Sequence, residues 1–240
     1  MHFGNVLAFD LTAQALSPKY KFTDIPKMVA WSIANAKPLK LEKSDFETKD
    51  DYVIRLKNVS IPGIDADGMV LVELPLVGMQ VRKEYLAEQT NLRINVTLTT
   101  GTRFGGQIYA ILGNKTLSKR QYTGTNAFGV KTLITAEKIE SFGVAISKKA
   151  GSPLDRQTLT YSLNFEPAEA KEVFPFISVI VIGKPATPLV KQDTYYSSAT
   201  INDPFEMSRI FKVIELANAQ IWVINKSTGA VLWKDDYSLN

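Results

Sequence analysis

From residue 89 to residue 136 the chain carries no aspartate or glutamate. The same interval holds Arg93, Arg103, Lys115, Lys119, Arg120 and Lys131, interleaved with Phe104, Tyr109, Tyr122 and Phe128. Cations neutralise phosphates and aromatic rings stack on bases, so this mixture could hold a single-stranded nucleic acid. An acidic protein or a polyanionic polysaccharide would need the same cations. The alternative is that these charges lie on strands and loops and simply face water. The whole chain is only mildly basic, with a formal net charge of +4, and all of that surplus falls in residues 1–120.

Carboxylates are the next candidates. Asp65-Ala66-Asp67-Gly68 has the alternating acids of a calcium loop, but Met69 stands where a third ligand belongs and Leu76 where the twelfth-position glutamate belongs. The segment therefore reads as a turn. Glu73 sits inside the apolar run Met69–Leu76, where burial would raise a carboxyl pKa. Asp50-Asp51 and Asp235-Asp236 are adjacent acids. Glycan hydrolysis needs two carboxyls facing each other across a bond, a relation that spacing along the chain does not establish. Trp31, Trp222 and Trp233 could stack on sugars, or pack inside a core and a hairpin.

What is missing narrows the field. There is no cysteine, and the only histidine is His2. Disulfide frameworks, thiolate chemistry and cysteine zinc sites are thereby excluded, and histidine acid–base chemistry is nearly so. No cofactor or metal motif is present. The first residues lack a basic segment followed by a long apolar core, so the expectation is a chain made in the cytoplasm without a signal peptide. The most apolar run, 173–183, is too short to span a bilayer and contains Pro175.

The elements that must position these residues read mainly as strands. Asn91–Thr100 places Leu92, Ile94, Val96 and Leu98 on one face, and Gln157–Glu166 does the same with Leu159, Tyr161, Leu163 and Phe165. Further strands are expected at Val6–Leu11, Tyr52–Val59, Met69–Leu76, Gln107–Leu112, Val130–Thr135, Ser141–Ser147, Phe176–Ile182, Gln220–Ile224 and Ala230–Lys234. Continuous apolarity in Met69–Leu76 and Phe176–Ile182 predicts central strands covered on both faces.

Asp203, Pro204 and Glu206 form a helix-start pattern, and Met207, Ile210, Phe211 and Ile214 follow at helical spacing, predicting a helix there. Pro26–Ala36 and Arg82–Thr90 are two weaker helix candidates. Ile221–Lys234 reads as a hairpin turning at Lys226–Gly229, with Trp222 and Trp233 able to pair across it. This hairpin resembles a blade hairpin of quinoprotein-type propellers, in which Thr-Gly precedes Leu-Trp. It occurs once, whereas a propeller repeats its unit.

The expected fold is all-β with minor α: an antiparallel, jelly-roll-like β-sandwich with two or three peripheral helices. One β-rich domain is expected over residues 1–240, with extended arms or loops near 17–49 and 183–204. The expected function is a non-enzymatic structural or assembly protein, such as a virion, capsid or phage-tail subunit. Its partners would be copies of itself or other structural subunits, with no membrane span. The alternatives are a single-stranded nucleic-acid-binding protein using residues 89–136, and a carbohydrate-binding sandwich.

Overall fold

A computed structural model describes residues 14–16, 20–36, 43–57, 59, 61–64, 68–76, 80–99, 107–125, 127–146, 156–186 and 188–236. The protein is mostly β, and its strands form one large mixed sheet. The expected strand at Val6–Leu11 and the Asp65–Asp67 turn lie outside the described residues.

The strands are β1 Val70–Glu73, β2 Val81–Leu86, β3 Asn91–Thr99, β4 Ile108–Thr125, β5 Lys131–Ile146, β6 Arg156–Asn164, β7 Ile177–Pro185, β8 Lys191–Ser197, β9 Phe205–Asn225 and β10 Val231–Asp236. The helices are α1 Ile25–Asn35, α2 Lys49–Lys57 and α3 Pro167–Val173. The pairing path runs β1-β7-β9-β5-β4-β3-β2, with β6 on β3 and both β8 and β10 on β9. All pairs are antiparallel except β5–β9, which runs parallel from Thr135↔Phe205 to Ile146↔Leu216. The sheet is therefore mixed, not purely antiparallel as expected. Between these two strands the chain makes β6, α3, β7 and β8, a crossover long enough to bring β9 back in the direction of β5.

β9 is the spine. Its first half lies between β5 and β8, and its second half between β7 and β10. The change of neighbours falls around Asn218, whose φ of +50° is a left-handed conformation that asparagine tolerates better than most residues. The main core joins Leu92, Ile94, Val96 and Leu98 of β3 to Val179 and Val181 of β7, Ile221 and Val223 of β9, and Ile25, Met28 and Val29 of α1. A second cluster on the other face of β1, β7 and β9 holds Leu71, Ile180, Ile182, Trp222 and Ile224, covered by Leu16, Tyr20 and Phe22. Burial on both faces is why these strands read as continuous apolar runs. β7 is central, as expected. β1 pairs only with β7 among the described residues, and it ends at Glu73, just before Leu74 and Pro75.

Three expected elements differ. The helix predicted from Asp203 is the strand β9. Its helix-spaced apolar residues belong to a longer run that alternates between two covered faces, and pairing on both sides outweighs local periodicity. The capping signature serves a turn instead, in which Thr200 Oγ1 accepts from the Asp203 backbone N–H. The helix predicted over Arg82–Thr90 is strand β2 followed by a 3-10 turn at Ala87–Gln89, because β3 offers a complete antiparallel partner.

Conversely, the strand predicted at Tyr52–Val59 is helix α2. Thr48 Oγ1 accepts the Asp51 N–H and donates to the Asp51 carboxylate, closing the first turn. The α1 expectation agrees within a residue or so, with Asp24 as N-cap and Pro26 in the first turn. The hairpin β9–β10 also forms. A register shift between Val231 and Trp233 sets Trp233 opposite Val223 and Lys234 opposite Trp222, so the two tryptophans do not face each other. Residues 183–204, expected as a loop or arm, include the end of β7 and the whole of β8. The 17–49 stretch includes α1. No helix among the described residues is long and apolar enough to cross a membrane.

Candidate interaction surface

Beyond the core, β4 and β5 continue as a long hairpin. Its pairs run from Ile108↔Ile146 to Thr125↔Lys131. The first residues of β4 are buried, but from Asn114 to Thr125 every residue is exposed except Gly124, which is partly so. Bulges at Leu112 and Leu117 set the register. At the base, a Cβ on Gly143 would collide with the Ala110 carbonyl oxygen, so the close approach of the two strands requires glycine. With β9 and β8 alongside, β4 and β5 make a four-stranded layer ordered β4-β5-β9-β8. β4 beyond the base and the outer side of β8 are open edges among the described residues. At the hairpin tip Phe128 is 90% exposed and Val130 and Leu133 are about half exposed.

The register sorts side chains onto two faces. Lys115, Arg120 and Tyr122 share one face with Glu140 of β5 and Glu206 of β9. Lys119 and Lys131 lie on the opposite face. Arg93 is elsewhere, on β3, in register with Glu84 of β2 and Ser162 of β6. Arg103 lies outside the described residues. The five described cations are thus not gathered into one track. Carboxylates from β2, β5 and β9 stand among them: Lys119 pairs with Glu137 at 2.5 Å, Lys115 sits opposite Glu140, and Arg120 is in register with Ala136, the residue opposite Glu206. The Arg120 guanidinium lies 5.6 Å from the Tyr122 ring centroid, and Tyr122 donates to Glu206 at 2.9 Å. That hydrogen bond, with some burial, holds the phenol pKa above its usual value.

The other chemical candidates resolve into packing. Glu73 accepts from the buried Ser178 hydroxyl at 2.6 Å and from Lys226 Nζ at 2.8 and 3.0 Å. Asp50 and Asp51 open helix α2, and Asp235 accepts from the Tyr161 hydroxyl at 3.3 Å. These acids stand on three separate elements. Trp222 is fully buried under Lys234, while Trp233 is 45% exposed and leans on Tyr161. No family model, curated protein or solved structure matches the chain.

Two features of this layer were missed by sequence reasoning. Arg209 of β9 lies over Phe211, and its buried Nε has no hydrogen-bond partner. Its register partner on β8 is Tyr195, which with Tyr196 is substantially exposed. Tyr195-Tyr196 is a β-favouring pair in an otherwise polar stretch, the one local sign of a strand there. Nothing in the sequence marks Arg209, because the burial of its Nε depends on which strands flank β9.

Proposed function

We propose that this protein is a non-enzymatic assembly subunit, made in the cytoplasm and joined to copies of itself in a particle such as a virion, capsid or phage tail. One observation carries the reading: a long β hairpin whose β4 arm is exposed on both faces along its outer half, with exposed Phe128, Val130 and Leu133 towards its tip, in a layer with two open edges among the described residues. Open strands and exposed apolar side chains are surfaces that other chains cover. The shared core of β3 with β7 and β9 supports a sandwich-like body beneath that layer. The parallel β5–β9 pair departs from an all-antiparallel jelly roll.

The experiment is light scattering coupled to size exclusion, with the 260/280 nm ratio recorded at low and high salt. A discrete, nucleic-acid-free oligomer that survives salt is expected, and a monomer at every concentration would sink the reading. The second reading, contact with single-stranded nucleic acid, draws on Lys115, Arg120 and Tyr122 sharing one exposed face. Glu140 and Glu206 on that same face place it below assembly. A species that sheds bound nucleic acid in high salt would reverse that order.

A further inference from the structure

Subunit contacts can be made along the flank of the β4–β5 hairpin and at the open edges of its layer. The end of the hairpin is a different kind of surface. β9 first pairs with β5 at Thr135, whose N–H donates to the Pro204 carbonyl. The pairs from Tyr122↔Ile134 to Thr125↔Lys131 lie past the start of β9. At the rise of an antiparallel strand, Lys131 is about 13 Å beyond Thr135. Gly129, with φ of +81°, makes the turn, in a conformation that glycine adopts without steric cost. Such a turn has no need of an aromatic neighbour, yet Phe128 stands there almost wholly exposed, with Val130 and Leu133 about half exposed.

Charge is ordered along the length of the hairpin. From Gln121 to Ala136 it carries no acid, and Lys131 is its only ion. Arg120 and the Lys119–Glu137 pair come next, at the neck. The acids of neighbouring elements also stand at that level: Glu206 is opposite Ala136, and Asp203 belongs to the turn that leads into β9. The order from the tip is apolar side chains, then a cation, then ions of both signs. A bilayer met end-on has the matching order of acyl boundary, anionic phosphates and water. A protein partner would gain more from a flank or an edge, where side chains and backbone groups form a continuous surface.

We propose that the tip of this hairpin inserts shallowly into a bilayer containing anionic lipid. Phe128 and Val130 enter the boundary between headgroups and acyl chains, to the depth of about 5–10 Å that interfacial elements reach. Lys131 lays its stem in that boundary and extends its ammonium back to the phosphates. Leu133 shares a face with Lys131, so it lies along the headgroups when the hairpin leans to that side. Deeper entry is barred, because a two-stranded hairpin has outward-facing backbone groups that hydrocarbon leaves without hydrogen bonds. The proposal is of anchoring and not of crossing, and it does not rest on the assembly reading.

The full chain tests this by flotation with vesicles of phosphatidylcholine alone, or of equimolar phosphatidylcholine and phosphatidylserine. The wild type floats with the mixed vesicles and far less with the neutral ones. Phe128→Ser weakens the binding about tenfold, the order expected for withdrawing a phenyl ring from an apolar phase. Lys131→Gln weakens it about fivefold, as for one cation near an anionic surface. Both side chains are exposed, so circular dichroism shows the fold unchanged. The chain has no cysteine, so Val130→Cys carries a single environment-sensitive fluorophore. Its emission moves to the blue on the mixed vesicles. The same label at Thr194→Cys, which the register sets level with Glu140, does not move. A wild type that floats with neither vesicle overturns the proposal, as does binding that Phe128→Ser leaves unchanged. An oligomer that forms without lipid and comes apart on Phe128→Ser also overturns it, because the tip then lies between subunits. Light scattering without lipid reads assembly by itself, so a monomer whose Val130 label still enters the mixed vesicles sinks the assembly reading and keeps this one.

Discussion

Glu73 has two partners of unequal weight. Ser178 is 1% exposed, so its hydroxyl has no water to turn to if the carboxylate is removed. Lys226 is 46% exposed, and an ion pair that open adds about 0–1 kcal/mol at most. Glu73→Ala is therefore expected to cost about 1–3 kcal/mol, the desolvation penalty of an orphaned buried hydroxyl. Glu73→Gln keeps an acceptor and loses less. Thermal melts of the two variants check the order, at about 2–4 °C per kcal/mol for a chain of this size.

Lys83 offers a pH test. Its ammonium is half-buried on β2, donates to the Phe174 and Ile177 carbonyls at 2.8 and 3.3 Å, and stands over the Phe174 ring. Burial holds its pKa below the ordinary 10.5. Between the lowered value and 10.5 the unfolded chain binds more protons than the folded one, so this group's contribution to stability rises with pH across that window. Urea denaturation from neutral pH up to 10.5 should show the rise, and Lys83→Met should flatten it.

At the scale of elements, α2 is closed at its first turn by polar contacts. Thr48 accepts from the Asp51 N–H at 3.2 Å, Asp50 and Asp51 stand at the positive end of the helix, and Glu47 holds Arg55 through two 2.7 Å hydrogen bonds. Thr48→Ala is expected to destabilise the protein by about 1 kcal/mol, read as a lower urea midpoint with an unchanged slope. Arg55 also keeps the Glu47 carboxyl below its usual pKa, so that pair loosens as pH falls through the lowered value. The alternation of Tyr52 and Ile54 suggests a strand, yet Tyr52 is buried and Ile54 is 60% exposed. The Thr48-x-x-Asp51 spacing was the better local signal.

β9 shows the opposite case. Asp203, Pro204 and Glu206 satisfy every rule for starting a helix, and the segment is nevertheless paired on both sides as a strand. Local preferences of a few tenths of a kcal/mol per residue cannot compete with two ladders and two covered faces.

For the whole molecule, hydrogen exchange should divide the sheet. Ile177–Ile182 and Ile221–Ile224 are buried on both faces and should exchange only on global unfolding. The outer hairpin, Asn114–Thr125 and Lys131–Thr135, has one open edge and little burial, so it should exchange orders of magnitude faster in the monomer.

Sequence alone was enough for whatever depends on one strand and one face. The alternation of β3 and β6, the apolar run of β7, the β9–β10 hairpin and helix α1 all state their own burial, because a residue's hydrophobicity and its period are local facts. The absence of cysteine, with His2 the lone histidine, likewise narrowed the chemistry without coordinates. Only the tertiary structure decided what depends on neighbours distant in the chain. It merged Val130–Thr135 and Ser141–Ser147 into β5, since Glu137 and Glu140 between them meet Lys119 and Lys212. It turned the acid-free stretch into a surface of mixed sign by bringing those same glutamates alongside, and it buried the Arg209 Nε with no hydrogen-bond partner among the described residues. Charge and pairing across a sheet are sums over strands that meet only when the chain has folded.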